Sequence, residues 1–208
     1  MNFKTTLYLV ADSSNFTEDE FLNIVKDACL GGVDLIQHRN KDMSDYDFLK
    51  LSIKLKEITD EFNVPLIIDD RLDIAVILDC GVHLGQSDIP IKYARKLLKD
   101  NIIGATTKTK EQALLAEKEG ADYLGVGAIF PTTTKVKTVI TSLDTLNDIC
   151  NSVDIPVMAI GGINIDNYDY LKNTKIDGIC VVSAIMNSSN PKEYTEEFKE
   201  KIKLMISK

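Results

Sequence analysis

The chain has 208 residues, of which 44% are hydrophobic, and it carries a formal charge of −8. This acidic balance argues against nonspecific binding to nucleic acid or to an anionic membrane surface, and no apolar stretch is long enough to span a bilayer. Cys29, Cys80, Cys150 and Cys180 are scattered without a C-x-x-C pair, which is typical of small apolar residues in a reducing compartment. We therefore expect a cytoplasmic protein, and the absence of a linker or low-complexity tract predicts one domain over 1–208.

Apolar segments alternate with helical patterns along the whole chain. Taken in order, the predicted strands cover 7–10, 33–36, 65–68, 82–84, 101–105, 123–126, 156–160 and 178–182. Helix start signals follow most of them, namely Thr17, Ser44, Pro90, either Ser142 or Asp144, and Pro191. A short helix is also predicted over 166–173, between the last two strands.

Eight strand–helix units predict an α/β protein, a single small (β/α)8 TIM barrel. Continuous runs of Val, Ile and Leu, rather than alternating ones, are typical of parallel strands that are buried on both sides. The competing architecture is a doubly wound open sheet. That fold would usually need fewer units and a G-x-G-x-x-G after its first strand, which this sequence lacks.

Reactive side chains are concentrated just after the predicted strands, whereas the residues that lead into strands, such as 32–34, carry few of them. Active sites of such barrels lie at the carboxyl ends of the strands, so these side chains are expected to converge on one rim. They are Asp12, Gln37, Arg39, Lys41, Asp69, Asp70, Asp88, Thr106, Lys108, Thr132, Thr134, Lys135 and Ser183.

Two carboxylates on this rim are candidate metal ligands. Asp70 and Asp88 follow adjacent strands, which lie about 5 Å apart in a barrel, so their side chains can share a hard cation. Carboxylates with few neighbouring His or Cys ligands favour Mg²⁺ or Mn²⁺ over zinc. The alternative for either aspartate alone is a helix N-cap.

Three cations form a candidate diphosphate site. Arg39 and Lys41 are expected on one side of an extended segment, and Lys135 ends the loop after the sixth strand. We expect this set opposite the proposed metal, because cations together with a carboxylate-held Mg²⁺ are well suited to hold a leaving diphosphate. The alternative for each of them is a solvated surface charge.

A second anion site is predicted where the seventh and eighth strands end. Gly161 and Gly162 can offer backbone N–H groups at close range, and Val182 and Ser183 would complete a phosphate cup. One site assisted by a metal and one lined by backbone indicate two phosphorylated ligands.

Neither histidine is predicted to act as a base. His83 lies one residue from the end of its strand and is expected to pack in the core or to support the site from there. His38 is expected to point away from the face that carries Gln37, Arg39 and Lys41.

The succession of motifs resembles the thiamine phosphate synthase family. These motifs are Gln37-x-Arg39-x-Lys41, Asp70-Arg71, HLGQSD at 83–88, GVGAIFPTTTK at 125–135, AIGGI at 159–163 and VVSAI at 181–185. They occur in order over nearly the whole chain. The resemblance implies a transferase that joins a hydroxymethylpyrimidine diphosphate to a thiazole phosphate by Mg²⁺-assisted dissociative displacement, giving thiamine phosphate and pyrophosphate.

The resemblance also implies a role for each matching position. Asp70 and Asp88 would hold Mg²⁺, and Arg39, Lys41 and Lys135 would be catalytic. The pyrimidine diphosphate would contact Gln37, Arg39, Lys41, Asp69, Thr106 and Lys135. The thiazole phosphate would contact Thr132, Thr134, Gly162, Val182 and Ser183.

Some positions depart from the family's pattern and keep two other functions open. Asp69 stands where the family usually has Asn, and Lys108 stands where it has His. One alternative is a thiazole tautomerase-like isomerase, which needs neither diphosphate nor metal. The other is a barrel that binds thiamine precursors without catalysis. Small phosphorylated molecules are the expected partners in each case, and a homodimer is an ordinary expectation.

Overall fold

The computed structural model describes residues 5–132 and 139–206, which form a closed barrel of eight parallel strands in sequential order. The strands are β1 (Leu7–Asp12), β2 (Leu35–Arg39), β3 (Leu66–Asp69), β4 (Gly81–Leu84), β5 (Ile103–Thr107), β6 (Tyr123–Gly127), β7 (Val157–Ile160) and β8 (Gly178–Val181). Closure is between β1 and β8, where Leu7 lies opposite Ile179. The predicted TIM barrel is therefore confirmed.

Helices follow the strands and cover the outside of the barrel. They are α1 (Glu18–Leu30), α2 (Asp45–Glu61), α3 (Leu72–Leu78), α4 (Ile91–Leu98), α5 (Lys110–Glu119), α6 (Leu143–Cys150), α7 (Ser183–Met186) and α8 (Pro191–Ile206). A 3₁₀ helix at Tyr168–Leu171 lies between β7 and β8. Every helix within the described ranges is too short or too polar to cross a lipid bilayer.

Three of the predicted helix starts are confirmed by side-chain hydrogen bonds, whereas Pro90, predicted as the first residue of its helix, is the N-cap of α4, which begins at Ile91. Thr17 accepts the N–H of Glu20 while the Glu20 carboxylate accepts the N–H of Thr17, so α1 begins with a capping box. The Ser44 side chain caps α2 by accepting the N–H of Asp47, without a reciprocal bond to its own N–H. Of the two candidates for α6, the residue that caps the helix is Ser142.

Apolar side chains form two layers of core. The larger layer lies between the strands and the helices, and the smaller one fills the barrel interior. The interior layer contains Tyr8, Val10, Leu35, Ile67, Tyr123, Met158 and Cys180. Three of the four cysteines are buried, as expected of apolar residues, and Cys150 is partly exposed.

The connection before β8 and the segment after it differ from the prediction. The helix expected over 166–173 is only the 3₁₀ helix Tyr168–Leu171, because asparagine side chains bind the backbone before it. Asn164 Oδ1 accepts the N–H of Asp166, and Asn167 Oδ1 accepts the N–H of Asn164. These turn contacts compete with a regular helix. Ser183, expected in a loop, instead begins the short helix α7.

Candidate active site

A cavity of about 620 Å³ opens at the carboxyl ends of the strands. The predicted site residues that line it come from β2, β3 and β5 and from the segments after β2, β3, β4, β6, β7 and β8. They are Gln37, Arg39, Lys41, Asp69, Asp70, Asp88, Thr106, Thr132, Gly162, Val182 and Ser183. The two other predicted residues, Thr134 and Lys135, lie outside the described residues.

One end of the cavity is a cluster of opposite charges. Lys41 Nζ lies 2.7 Å from Asp69 Oδ2 and also forms an ion pair with Asp70. Arg39 forms an ion pair with Asp12, and its Nε lies 3.7 Å from Asp69 Oδ2. Arg39 and Lys41 therefore share a face, as the alternation along an extended segment predicts.

The placement of Lys41 corrects one expectation. The sequence predicted its ammonium group opposite the two carboxylates that would hold a metal, whereas the structure places it directly on one of them, Asp70. The physical reason is the strand order. Because β2 pairs with β3, a lysine just beyond the end of β2 reaches the carboxylates at the end of β3.

Burial and neighbouring charges shift the pKa values of three aspartates at this end of the cavity, Asp69, Asp70 and Asp88. Burial raises the pKa of Asp69, and the neighbouring charge of Asp70 raises it further against the opposing effect of Lys41. Burial opposes the ionisation of Asp70 too, but the hydrogen bond and charge of Lys41 lower the pKa of Asp70. Burial also raises the pKa of Asp88, although its Oδ2 accepts the Gly85 N–H at 2.6 Å. The cluster thus carries more carboxylates than its cations neutralise.

Neither candidate metal ligand acts as a helix cap. The N-cap residues of α3 and α4 are Arg71 and Pro90, respectively, and neither helix has a side-chain cap. Asp88 instead closes the turn that begins at Gly85. Asp70 has a φ of 61°, a left-handed conformation that costs free energy for a residue with a side chain. These observations remove the N-cap alternative for both aspartates.

The donor set of Asp70 and Asp88 fits a magnesium ion that shares its ligands with a phosphorylated molecule. The two carboxyl groups lie close enough for each to shift the pKa of the other. Across the described ranges there is no group of three or more His, Cys, Asp or Glu side chains that could hold a metal ion alone. Two carboxylates suffice when phosphate oxygens and water complete the octahedral shell, which is the usual arrangement for Mg²⁺.

Backbone forms the opposite end of the cavity. Gly161 and Gly162 have φ values of 103° and 66°, which glycine adopts readily. A Cβ at Gly162 would lie 2.7 Å from the carbonyl oxygen of Pro131, so the loops after β6 and β7 require glycine to pack this closely. Val182 and Ser183 face the same space from the end of β8. The predicted residues of the second anion site thus border one cavity with the charged cluster.

The two histidines have the locations that the sequence predicted. His83 hydrogen-bonds through Nδ1 to the Tyr123 hydroxyl at 2.9 Å and through Nε2 to Thr106 Oγ1 at 2.8 Å, so it supports a cavity residue from the barrel interior. His38 is fully buried outside the cavity, where its ring stacks on Phe48 with centroids 4.0 Å apart.

Several cavity residues were absent from the predicted site. Gln86 donates to the backbone carbonyl of Thr106 at 2.6 Å, and the Gln112 side chain accepts the N–H of Lys108 at 2.8 Å. Gln86 follows β4, so the rule that selected the other residues could have found it. Lys108, after β5, is already among the reactive side chains that this rule selects. Gln112 lies within α5, where no sequence signal separates it from an ordinary helix residue.

A family model described as thiamine monophosphate synthase matches residues 7–185 of this chain. The chain belongs to the thiamine monophosphate synthase family. The resemblance drawn from the motifs is thereby confirmed, and with it the expectation of an enzyme of the transferase class.

Two relatives within the thiamine monophosphate synthase family are similar to the chain over nearly its whole length. A thiamine-phosphate synthase of Clostridium tetani is 46% identical over 198 residues, which cover 94% of this chain and 95% of the relative. A thiamine-phosphate synthase of Methanobrevibacter smithii is 47% identical over 206 residues, covering 96% and 98%, respectively.

A solved structure of the thiamine monophosphate synthase family has the same fold. The thiamine phosphate pyrophosphorylase from Pyrococcus furiosus superimposes with a TM-score of 0.88 at 38% sequence identity, covering 98% of each chain. The agreement spans the strands whose carboxyl ends surround the cavity.

Proposed function

We propose that this chain joins a hydroxymethylpyrimidine diphosphate to a thiazole phosphate, giving thiamine phosphate and pyrophosphate. The observation that carries the proposal is a single cavity with two different anion-binding ends. One end has cations and a pair of carboxylates, and the other has closely packed backbone around two glycines. Two phosphorylated molecules bound at these ends would have their reacting atoms between them.

The charged end is suited to the diphosphate. Arg39 and Lys41 would bind its oxygens in exchange for part of their present contact with Asp69. Asp70 and Asp88 would hold Mg²⁺, which supplies positive charge against the negative charge that develops on the departing pyrophosphate. Lys135 would add a third cation to this set.

The remaining residues of this end would orient the pyrimidine. Gln37 is buried at the cavity wall and Thr106 faces the cavity from β5, so both can hydrogen-bond to a ring in fixed positions. Asp69 would keep the two cations aligned between turnovers. Its charge also reduces the net positive charge that a diphosphate meets.

The opposite end is suited to the thiazole phosphate. Backbone N–H groups near Gly162, Val182 and Ser183 and the hydroxyls of Thr132 and Thr134 would bind its phosphate. Ile160, Ile163 and Val181 give this part of the cavity apolar walls, which would exclude water from the reaction.

The proposed reaction is a dissociative displacement. The bond between the pyrimidine methylene carbon and the diphosphate oxygen breaks first, and its electron pair leaves with pyrophosphate. The thiazole nitrogen then donates its lone pair to the pyrimidine methylene cation, forming the new C–N bond. Arg39, Lys41 and Lys135 would stabilise the departing charge, and the cavity would hold the two organic groups within bonding distance.

Pyrophosphate release tests the proposal directly. We expect release that requires both substrates and Mg²⁺ and that stops in EDTA. Asp70→Asn should lower kcat about a hundredfold or more, because the side chain would no longer hold the Mg²⁺ whose positive charge stabilises the leaving group. The matched control is Asp73→Asn, an exposed aspartate in the first turn of α3, which should retain wild-type rates.

Other outcomes would identify the alternatives. Turnover of a thiazole phosphate alone, without metal, would reject the synthase in favour of a tautomerase-like isomerase. Binding of either substrate by calorimetry without turnover would favour a barrel that only binds thiamine precursors. Equal activity of Asp70→Asn and the wild type would reject the metal-holding role of Asp70.

A further inference from the structure

A continuous line of hydrogen bonds crosses the barrel interior and connects two walls of the cavity. Gln37 Nε2 donates to the Tyr8 hydroxyl at 2.6 Å, and the hydroxyls of Tyr8 and Tyr123 lie 2.8 Å apart. Tyr123 bonds to His83 Nδ1 at 2.9 Å, and His83 Nε2 bonds to Thr106 Oγ1 at 2.8 Å. Gln37, His83 and Thr106 line the cavity, whereas both tyrosines are buried.

The barrel is shaped to hold this line of side chains. A Cβ at Gly104 on β5 would overlap the ring of Tyr123 and lie 2.5 Å from His83 Nδ1. A Cβ at Gly125 on β6 would lie 3.2 Å from His83 Cε1. The Tyr8 and Tyr123 rings meet edge to face at 5.7 Å. Glycines on two strands therefore provide the space that the hydrogen bonds need.

The orientation of the Gln37 amide fixes the direction of every bond in the line. Because the amide nitrogen only donates, the Tyr8 hydroxyl accepts from it and directs its own hydrogen to Tyr123. The Tyr123 hydrogen then goes to His83 Nδ1, so His83 carries its hydrogen on Nε2 and donates to Thr106. The hydrogen of the Thr106 hydroxyl is left to point into the cavity.

With the amide nitrogen of Gln37 facing Tyr8, the opposite direction would leave a buried hydrogen atom unsatisfied. Burial raises the pKa of both Tyr8 and Tyr123 well above the ordinary value, so both hydroxyls keep their hydrogens. If His83 donated to Tyr123, and Tyr123 to Tyr8, the Tyr8 hydrogen would have no acceptor among the described residues. An unsatisfied polar group at a fully buried position costs substantial free energy.

We propose that Tyr8, Tyr123 and His83 are positioning residues that transmit the amide orientation of Gln37 to the hydroxyl of Thr106. Thr106 then presents a hydrogen-bond donor to the ligand, while Gln37 presents its amide oxygen as an acceptor. The inference rests on the proposed function only for the identity of the ligand. A pyrimidine diphosphate fits this pattern, because its oxygens accept hydrogen bonds and an amino group on its ring donates one.

The other histidine provides an internal reference with the opposite arrangement. Ser52 Oγ donates to the Phe48 carbonyl at 2.7 Å, so it must accept from His38 Nδ1, which lies 2.8 Å away. Ser13 Oγ accepts from Asn40 Nδ2 at 2.9 Å and lies 3.3 Å from His38 Nε2, to which it can donate. His38 should therefore carry its hydrogen on Nδ1.

Nitrogen NMR of the two histidines tests the direction of the line without ligand or turnover. The full chain labelled with ¹⁵N-histidine gives two pairs of imidazole nitrogen signals, because it contains two histidines with two ring nitrogens each. We expect neutral His83 with hydrogen on Nε2 and neutral His38 with hydrogen on Nδ1, each assigned by a His→Gln variant. Hydrogen on Nδ1 of His83 would overturn the proposal. Since no substrate is involved, this result is independent of the proposed function.

A double-mutant cycle tests whether Tyr123 acts through Thr106. Calorimetry with the pyrimidine diphosphate and Mg²⁺ should give a Kd about tenfold higher for Tyr123→Phe and for Thr106→Val, because each change loses the oriented donor to a charged ligand. The double variant should be no weaker than either single variant. Tyr123→Phe should also leave His83 as a mixture of both tautomers.

The matched control is Thr107→Val, which changes the neighbouring residue on the opposite face of β5. Thr107 is fully buried and its hydroxyl has no partner among the described residues, so the Kd should not change. Additive losses in the double variant would assign Tyr123 a packing role and overturn the coupling. If the wild type does not bind the pyrimidine diphosphate, the proposed function fails, and the NMR result alone decides on the line of hydrogen bonds.

Discussion

The side chain of His38 on β2 is fully buried against α2, and both of its ring nitrogens are hydrogen-bonded to serines. The pKa of His38 is lowered from 6.5 to about 3. Burial is the main cause and the charge of Arg71 adds to it, while the charge of Asp12 partly opposes both. The folded protein therefore keeps this ring neutral under conditions in which an unfolded chain would protonate it.

This difference predicts a loss of stability in acid. Below about pH 6.5 the unfolded chain binds a proton at His38 that the folded protein does not bind until about pH 3. The free energy of unfolding should therefore fall as the pH decreases through this window, by up to about 1.4 kcal/mol per pH unit from this residue. Urea denaturation of the wild type and of His38→Gln measures the slope.

The comparison isolates the histidine because both proteins share every carboxylate. We expect a shallower pH dependence for His38→Gln, whatever its stability at neutral pH. Identical slopes would show that His38 titrates similarly in the folded and unfolded states.

At the scale of elements, a repeated aspartate joins neighbouring strands at the end of the barrel opposite the cavity. Each of these aspartates directly precedes one strand, and its carboxylate accepts the first N–H of the strand before it. The pairs are Asp34 with Leu7, Asp122 with Ile103, and Asp177 with Val157. The contact ties together the amino ends of β1 and β2, of β5 and β6, and of β7 and β8.

Asp34 makes the most extensive of these contacts and should contribute strongly to stability. Its carboxylate also accepts the N–H of Thr6 at 3.0 Å and lies 2.6 Å from Lys199 Nζ. Asp34→Ala should lower the free energy of unfolding by about 2–3 kcal/mol, because it leaves an ammonium group and backbone donors unpaired. Chemical denaturation measures the loss, with the exposed Asp148→Ala on α6 as the control.

The same variant separates stability from function. Because Asp34 lies at the far end of the barrel, KM and kcat should stay at wild-type values under conditions that keep the protein folded. A large change in KM would contradict this separation.

The contacts of these aspartates could not be predicted from the sequence. The strands, the caps Thr17 and Ser44, and the cavity residues after the strands follow local patterns, so the sequence predicts them. No pattern in the sequence indicated a role for Asp34, because its partner is a backbone N–H on another strand. Only the register of β1 with β2 brings the two groups together. Tyr8 and Tyr123 were equally hidden, because they lie within apolar runs 115 residues apart.

At the scale of the whole molecule, the last helix secures the closure of the barrel. α8 packs on α1, α7 and β8, and its side chains Phe198 and Ile202 are fully buried. Lys199 on the same helix bonds to the Gly32 carbonyl and to Asp34, next to the start of β2. The two ends of the chain are thus joined by a helix as well as by the pairing of β1 with β8.

This closure leads us to propose that 1–208 folds as one unit. Phe198→Ala should lower the free energy of unfolding by about 3–5 kcal/mol, because it removes a fully buried aromatic ring far from the cavity. Leu204→Ala is the control, since that side chain is 66% exposed on the same helix. In both variants, far-ultraviolet and near-ultraviolet circular dichroism should report the same denaturation midpoint. An early near-ultraviolet transition in Phe198→Ala, while helical signal persists, would instead mean that the tyrosine-bearing barrel interior loses its packing before the outer helices unfold.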